Sequence, residues 1–166
     1  PPKAVFERLG KICNGFLWDP NTEKGIPWAC WEKLRFPLQE GGLGFHKFED
    51  IYKAFSCTLW WKLRAKDSIW AKFMHAKYVK GFHLTGVSVM RPPVAWRRLE
   101  NIRDFAESWI RWCIGRSFVD FWWDKWLLDV PLADFLGLVD LPQMLVVEFC
   151  TSLAWNVHRL RSILDR

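Results

Sequence analysis

One amphipathic segment, Phe48–Arg64, constrains the fold of this chain more than any other feature. Its apolar side chains recur every three or four residues, which is the spacing of one helical face. That face contains Phe48, Ile51, Tyr52, Phe55, Leu59 and Leu63. Lys53, Ser56 and Arg64 lie opposite, and Trp60 falls among them. The pattern predicts a helix with a buried stripe, and Trp60 then marks either a contact surface or a site covered by another segment.

Helical signals also occur on both sides of this segment. The predicted elements are a helix over Ala4–Trp18 ended by Asp19-Pro20-Asn21, a short helical turn between Trp31 and Pro37, a helix capped by Asp67 or Ser68 that runs through Tyr78, and a helix over Val94–Glu107 opened by Pro92-Pro93. The glycine-rich stretch 39–45 is expected to be irregular because glycine permits backbone angles that other residues avoid.

The periodicity changes after residue 108. Two short aromatic and β-branched runs, 109–114 and 118–122, flank Gly115-Arg116-Ser117 and predict a β-hairpin. A turn at 123–126 follows, and a helix is expected over Val147–Ile163. The predicted fold is therefore mainly α, with a helical N-terminal two-thirds, a small aromatic β-hairpin and a C-terminal helix. We divide it into a basic helical region, 1–108, and a Trp-rich region, 109–166.

Charge is unevenly distributed along the 166 residues. The net charge is +6, but residues 1–100 hold 17 Lys and Arg against 9 Asp and Glu, whereas residues 101–166 hold 7 against 9. Within Lys53–Lys80 only Asp67 opposes seven basic side chains. Such a segment is typical of phosphate binding or of a solvated helical surface. The 13 tryptophans suit a core, a stacking platform or an interface equally well.

Several classes of protein are disfavoured by composition. Five cysteines without a CxxC pair argue against a disulfide framework or a zinc site and favour thiols in a reducing compartment. The longest uncharged stretches are about half the length that a membrane span needs. The chain starts Pro-Pro-Lys-Ala, without an initiator Met or an apolar leader, and we interpret it as a fragment of a longer protein.

The second half of the chain is rich in aspartate, a residue type that can hold catalytic metal ions. Five aspartates could suggest a two-metal nuclease, but no two are adjacent and their spacing is typical of turns; they are Asp120, Asp124, Asp129, Asp134 and Asp140. Asp124, between aromatic residues, is expected to stabilise a turn or accept a hydrogen bond from an indole. GxSxG, Walker and GxGxxG motifs do not occur. We therefore expect no catalytic residue, no metal site and no cofactor in this segment.

The order of the landmarks along the chain resembles one family. They are Phe16-Leu17-Trp18, Trp28 and Trp31, Pro37 to Phe45 (PLQEGGLGF), Leu59 to Leu63 (LWWKL), Trp70 to Tyr78 (WAKFMHAKY), Val94 to Leu99 (VAWRRL), Trp112 to Trp126 (WCIGRSFVDFWWDKW) and Pro131-Leu132. In this order they are similar to the region that follows the polymerase domain in plant non-LTR (LINE-type) retrotransposon reverse transcriptases. The resemblance covers residue 5 to the C-terminus.

The resemblance implies a noncatalytic part of an RNA-directed DNA polymerase. The adjacent Asp-Asp pair that holds the catalytic metals in that family does not occur in this sequence. The chain would be a thumb-like connector before a zinc-binding segment, in the cytoplasm and nucleus, contacting RNA or an RNA–DNA duplex. The candidate nucleic-acid-binding residues are Lys53, Trp60, Lys62, Arg64, Lys66, Lys72, Lys77, Arg97 and Arg98. The alternative is a structural or protein-interaction module that packs against the polymerase and zinc-binding domains.

Overall fold

The computed structural model describes residues 3–18, 29, 31–115, 118–139, 141–151 and 154–164. The chain divides into two compact units, an N-terminal unit, Pro1–Ser56, and a C-terminal unit, Cys57–Arg166. The described residues are mostly helical, which confirms the prediction of a mainly α protein. The domain boundary expected after residue 108 stays a prediction.

The N-terminal unit contains α1 (Lys3–Trp18), α2 (Trp31–Leu34), a 3-10 turn (Leu38–Glu40) and the first part of α3 (Phe48–Ala65). These bounds confirm the predicted helices. The ring of Trp31 stacks on Phe45 and Phe48, with centroids 5.7 and 6.1 Å away. Gly42 lies so close to Phe36 that a Cβ atom added at Gly42 would be 1.9 Å from the backbone carbonyl oxygen of Phe36. The glycine-rich turn is irregular, as predicted, whereas the expected helix stop at 19–21 lies outside the described residues.

The helical part of the C-terminal unit begins with the second half of α3. It continues through α4 (Ile69–Met74), a π-helical segment (His75–Val79), a 3-10 turn (Leu84–Gly86) and α5 (Val94–Ser108). Ser68 caps α4, because its Oγ accepts a hydrogen bond of 3.1 Å from the Ala71 amide. Lys66 and Lys80 follow α3 and the π-helical segment, and both have left-handed backbone angles, with φ of 56° and 48°.

Two groups of buried side chains stabilise the C-terminal unit. The first joins α3 to α5 and includes Trp60, Leu63, Trp96 and Leu99, each at most 2% exposed. The second is formed by the region after α5; its buried members are Val119, Phe121, Trp122, Leu132, Ala133, Val146 and Phe149. Aromatic rings supply much of this second core, and the Phe121 and Phe149 centroids lie 4.5 Å apart.

The predicted β-hairpin at 109–122 is wrong. Val119 to Phe121 instead runs antiparallel to residues 144–146: the Phe121 amide donates to the Met144 carbonyl at 2.7 Å, and the Val146 amide to the Val119 carbonyl at 2.9 Å. The buried rings of Phe121 and Phe149 explain this pairing, because a local hairpin would not bring residue 149 against residue 121. Residues 116 and 117, the expected turn, lie outside the described residues.

The C-terminal helix is shorter than predicted. After α6 (Leu132–Leu136), the chain forms a 3-10 turn (Val146–Phe149), a two-stranded ribbon (β1, Cys150–Thr151; β2, Ala154–Trp155) and α7 (Val157–Leu164). Asn156 begins α7, since its Oδ1 accepts from the Arg159 amide at 3.0 Å. The expected start at Val147 is wrong because Phe149 is held in the second core, and only the second half of the predicted helix is confirmed.

Candidate functional site

Most of the predicted basic residues are exposed. Lys62, Lys66, Lys72, Lys77 and Arg97 belong to the C-terminal unit, on α3, the residue after it, α4, the π-helical segment and α5. Arg98 is half-buried on α5, and Lys53 is exposed in the N-terminal unit. The structure therefore places five of the predicted cations on the solvent side of consecutive helical elements.

The lysines on these elements are available for ligands. Within the described part of the chain, Lys62, Lys66 and Lys72 form no ion pair. The Lys77 ammonium lies 5.5 and 5.3 Å from the ring centroids of Phe73 and Tyr78, which leaves its charge without an anionic partner. These side chains can neutralise phosphate groups without first breaking a salt bridge.

Of the two interpretations of Trp60, a contact surface or a site covered by another segment, the structure supports the covered site. Its side chain is 2% exposed, and its indole Nε1 donates to Glu107 Oε1 at 2.7 Å. Trp61, the next residue along the helix, is 49% exposed and stacks on Trp112, with ring centroids 5.7 Å apart. Trp60 and Leu63 lie on the buried face of the second half of α3. This face points in a different direction around the helix axis from Phe55, which is exposed. Trp60 cannot stack on a base in this arrangement.

The Arg64 side chain is likewise buried and is not exposed for the predicted contact with a phosphate. Only 6% of its side chain is exposed. The guanidinium forms an ion pair of 2.9 Å with Glu107 Oε1 and a short hydrogen bond to Asp124 Oδ1. It also lies 5.1 Å from the centroid of the Trp112 ring. Arg64 thus links α3, α5 and the turn after Phe121.

His83 and Asp124 complete a polar cluster around this guanidinium. His83 Nδ1 lies 2.7 Å from Thr85 Oγ1, and Nε2 lies 3.0 Å from Arg64 Nη1 and 3.3 Å from Asp124 Oδ1. Burial alone would raise the pKa of Asp124, but the hydrogen bond from His83 and the charge of Arg64 outweigh it and lower the pKa. Asp124 Oδ2 accepts from the Asp120 amide at 2.8 Å, so Asp124 stabilises a turn, one of its two expected roles.

Asp120 differs from Asp124 in that half of its carboxyl group lacks a partner. It is 2% exposed, and its Oδ1 accepts from the amides of Trp122 and Trp123 at 2.9 and 3.0 Å. Its Oδ2 has no hydrogen-bond partner. Burial raises the pKa of Asp120 and outweighs the two amides and His83, which lower it. Asp120 lines an open pocket of about 410 Å³ together with Arg64, His75, His83 and Asp124.

The raised pKa of Asp120 makes a pH-dependent contribution to stability. The folded state holds this proton more tightly than the unfolded state, so the free energy of unfolding should fall as pH rises from 3.8 through the folded pKa. Asp120→Asn removes the titration. We expect its stability relative to the parent chain to be constant below pH 3.8 and to increase above it by up to about 1.4 kcal/mol per pH unit until the folded pKa is passed. Urea unfolding of both proteins between pH 3 and pH 8 measures this difference, and parallel curves would contradict it.

The sequence did not indicate this polar cluster. Its members are separated by up to 60 positions, as between Arg64 and Asp124, and follow no motif. One feature of the sequence bears on it. Arg64 lies on the same helical face as Trp60, so burial of Trp60 places the Arg64 side chain near the core as well. No group of three or more His, Cys, Asp or Glu side chains among the described residues could hold a metal ion. Nor does any described helix have the length and apolarity to cross a membrane.

Comparison with known proteins adds no relative to this description. No protein-family model, curated protein or solved structure matches the chain. The similarity to retrotransposon reverse transcriptases therefore rests on the sequence landmarks, and the interpretation of the basic surface rests on its geometry and charge.

Proposed function

We propose that this chain is a noncatalytic, thumb-like connector of a plant non-LTR retrotransposon reverse transcriptase that contacts template–primer nucleic acid. The observation that carries the proposal is the set of exposed lysines from α3 to the π-helical segment, which have no acidic partner among the residues that the structure describes. The sequence landmarks supply the family. The absence of an Asp-Asp pair from the sequence supports a segment outside the polymerase active site.

The lysines favour contacts with the sugar–phosphate backbone. Ammonium groups on flexible side chains neutralise phosphates without reading base identity. We expect these contacts to be made by Lys62, Lys66 and Lys72. Further candidates are Lys77 on the π-helical segment and Arg97 on α5. Binding should therefore depend on charge and on salt far more than on nucleotide sequence.

Trp61 is better placed for stacking than Trp60. It is half-exposed, and Trp109 is 78% exposed. Both line an apolar pocket of about 480 Å³ with Phe105 and Ile110. Because exposed indoles stack on bases with little sequence preference, this surface next to Lys62 suits an unpaired base or the end of a duplex.

A salt titration tests the proposal directly. Affinity for an RNA–DNA duplex should fall steeply between about 50 and 200 mM salt, because binding releases counterions from the duplex. The triple variant Lys62→Gln/Lys66→Gln/Lys72→Gln should weaken binding at low salt, and the slope of log Kd against log salt should decrease by up to about 0.9 for each lost phosphate contact. Fluorescence anisotropy with a labelled duplex measures both quantities.

The control for this experiment is a cation in the acidic half of the chain. Arg161 is exposed on α7, and Arg161→Gln should leave both the affinity and the salt slope unchanged. An affinity that does not respond to salt, or that responds equally to the triple variant and to Arg161→Gln, would contradict binding through the proposed lysines.

A second candidate function is a protein-interaction module, and the surface of α1 favours it. Ile12 and Phe16 are 59% and 73% exposed. With Leu17, Trp31 and Phe45 they line an apolar pocket of about 670 Å³ in the N-terminal unit. Exposed apolar surface of this kind is typical of interfaces. Under this reading, the neighbouring polymerase or zinc-binding domain of the parent protein would cover α1, and nucleic-acid binding would be weak at every salt concentration.

A further inference from the structure

An apolar cleft lies between α3 and the C-terminal end of α5, within the C-terminal unit. It has a volume of about 480 Å³, and its lining residues belong to α3, to α5 and to the two positions directly after α5. Three of the lining side chains are aromatic: Trp61, Phe105 and Trp109, which are 49%, 42% and 78% exposed. A ligand can therefore reach these rings without a rearrangement of the fold.

One wall of this cleft is held in place by contacts with the buried polar cluster. The Trp61 ring stacks on Trp112, with centroids 5.7 Å apart and an angle of 27° between the rings. The same Trp112 ring lies 5.1 Å from the guanidinium carbon of Arg64, whose side chain is 6% exposed. Because these contacts already order Trp61, stacking of a ligand ring on it costs little conformational entropy.

The cleft has few side-chain groups that could read the identity of a ligand by hydrogen bonds. Besides the indole N–H groups, its polar side-chain groups are the Thr58 hydroxyl and the Cys57 thiol. The three aromatic rings instead favour a flat ligand that binds by stacking. Nucleobases are such ligands, and aromatic side chains bind them with little preference for sequence.

Positive charge adjoins the cleft. Lys62 follows Thr58 by one helical turn, so the two side chains are neighbours on the same face of α3. Lys62 forms no ion pair within the described part of the chain. The acidic side chains that adjoin the lining residues of α5 in sequence, Asp104 and Glu107, each form an ion pair with an arginine. A phosphate group can therefore bind Lys62 while the base attached to it enters the cleft.

We propose that this cleft takes one unpaired base at a single-stranded end of the template–primer, with the phosphate of that nucleotide on Lys62. The choice of a nucleotide among flat anionic ligands rests on the proposed function. A base inside a duplex is held by its pairing partner and by its stacked neighbours, so only an unpaired base is free to enter a recess between two helices. The site would give the connector a preference for a duplex with a single-stranded end over a blunt duplex, whatever the base.

Two RNA–DNA duplexes that differ in one base are the matched probes. Each carries a single-nucleotide 3′ overhang, which is a normal nucleotide in one duplex and an abasic nucleotide with the same phosphate in the other. The full chain should bind the base-bearing overhang about tenfold tighter, because only that duplex supplies a ring for stacking. Exchange among the four bases should change the affinity by less than about threefold. Fluorescence anisotropy with labelled duplexes measures these ratios.

Trp109→Ala tests the cleft itself. It removes the most exposed of the three rings, so the preference for the base-bearing overhang should fall below about twofold, while the affinity for a blunt duplex stays the same. Phe135→Ala, at a 65% exposed aromatic residue on α6, is the control and should keep the preference. If Trp109→Ala fails to fold, the ratio of the two overhang affinities in the unaltered chain still decides the question.

The outcomes separate this inference from the proposed function. Duplex binding with equal affinity for the base-bearing and abasic overhangs would overturn the inference alone and would leave the cleft to a protein partner. A tenfold preference for the base, together with unchanged duplex affinity in Lys66→Gln/Lys72→Gln, would overturn the extended lysine surface and retain the cleft. Absence of binding to every probe at micromolar concentration would overturn both.

Discussion

Trp60→Ala is expected to lower the free energy of unfolding by about 3–5 kcal/mol, the range of large aromatic deletions in protein cores. The indole is 2% exposed in the core shared by α3 and α5. The substitution removes its contacts with that core and leaves Glu107 Oε1 without the indole donor at 2.7 Å. Urea unfolding followed by circular dichroism measures the change.

Trp61→Ala is the matched control, because the same residue type is lost one position along the same helix. Trp61 is half-exposed and stacks on Trp112, an interaction for which we expect a loss of no more than about 1.5 kcal/mol. If Trp61 also contacts a base, duplex affinity should fall by ~1–3 kcal/mol in this variant. Greater destabilisation by Trp61→Ala than by Trp60→Ala would contradict the orientation of α3.

Arg64→Met should destabilise the fold by about 3–5 kcal/mol, because it removes the positive charge between two buried carboxylates. Glu107 and Asp124 are 14% and 3% exposed, so water screens their charges poorly once the guanidinium is gone. Methionine fills part of the volume, and the loss is therefore mainly electrostatic. Chemical unfolding at pH 7 measures it, and the double variant Arg64→Met/Asp124→Asn should recover part of the stability.

Arg111 supplies the comparison for Arg64. Its ion pair with Asp129 is 2.8 Å long, but the two side chains are 51% and 89% exposed. Arg111→Met should change stability by no more than about 1 kcal/mol, as is usual for surface pairs. Equal effects of the Arg64 and Arg111 substitutions would show that the Arg64 cluster is solvated in the folded protein.

Local features of the sequence predicted the helices well. Periodic apolar residues, the Ser68 cap and the prolines before Val94 act within a few residues, so the bounds of α1, α3 and α5 could be read from the chain. The same periodicity does not predict which of Trp60 and Trp61 is buried. Apolar residues such as Phe55 define the stripe of α3, yet Phe55 is 65% exposed, because helical periodicity does not specify which residues a distant segment covers.

Pairing between distant segments could not be predicted in the same way. Residues 118–122 have the composition of a strand, but the choice of residues 144–146 as partner depends on the core around Phe149. The polar cluster is a similar case: Arg64, His83, Glu107 and Asp124 belong to four separate parts of the sequence. A single sequence contains no local signal for such a set, so the helical pattern alone predicts Arg64 to be a surface cation.

The position of Asp124 has a consequence for the order of folding. The α3–α5 core joins residues that are about 35 to 45 positions apart, whereas Arg64 and Asp124 are separated by 60 positions. During synthesis on a ribosome, α5 emerges before Asp124, so the guanidinium faces Glu107 alone until the turn after Phe121 has been made. We therefore expect Asp124 to join Arg64 and Glu107 only after this turn has been synthesised, whereas the contacts between α3 and α5 need no residue beyond α5.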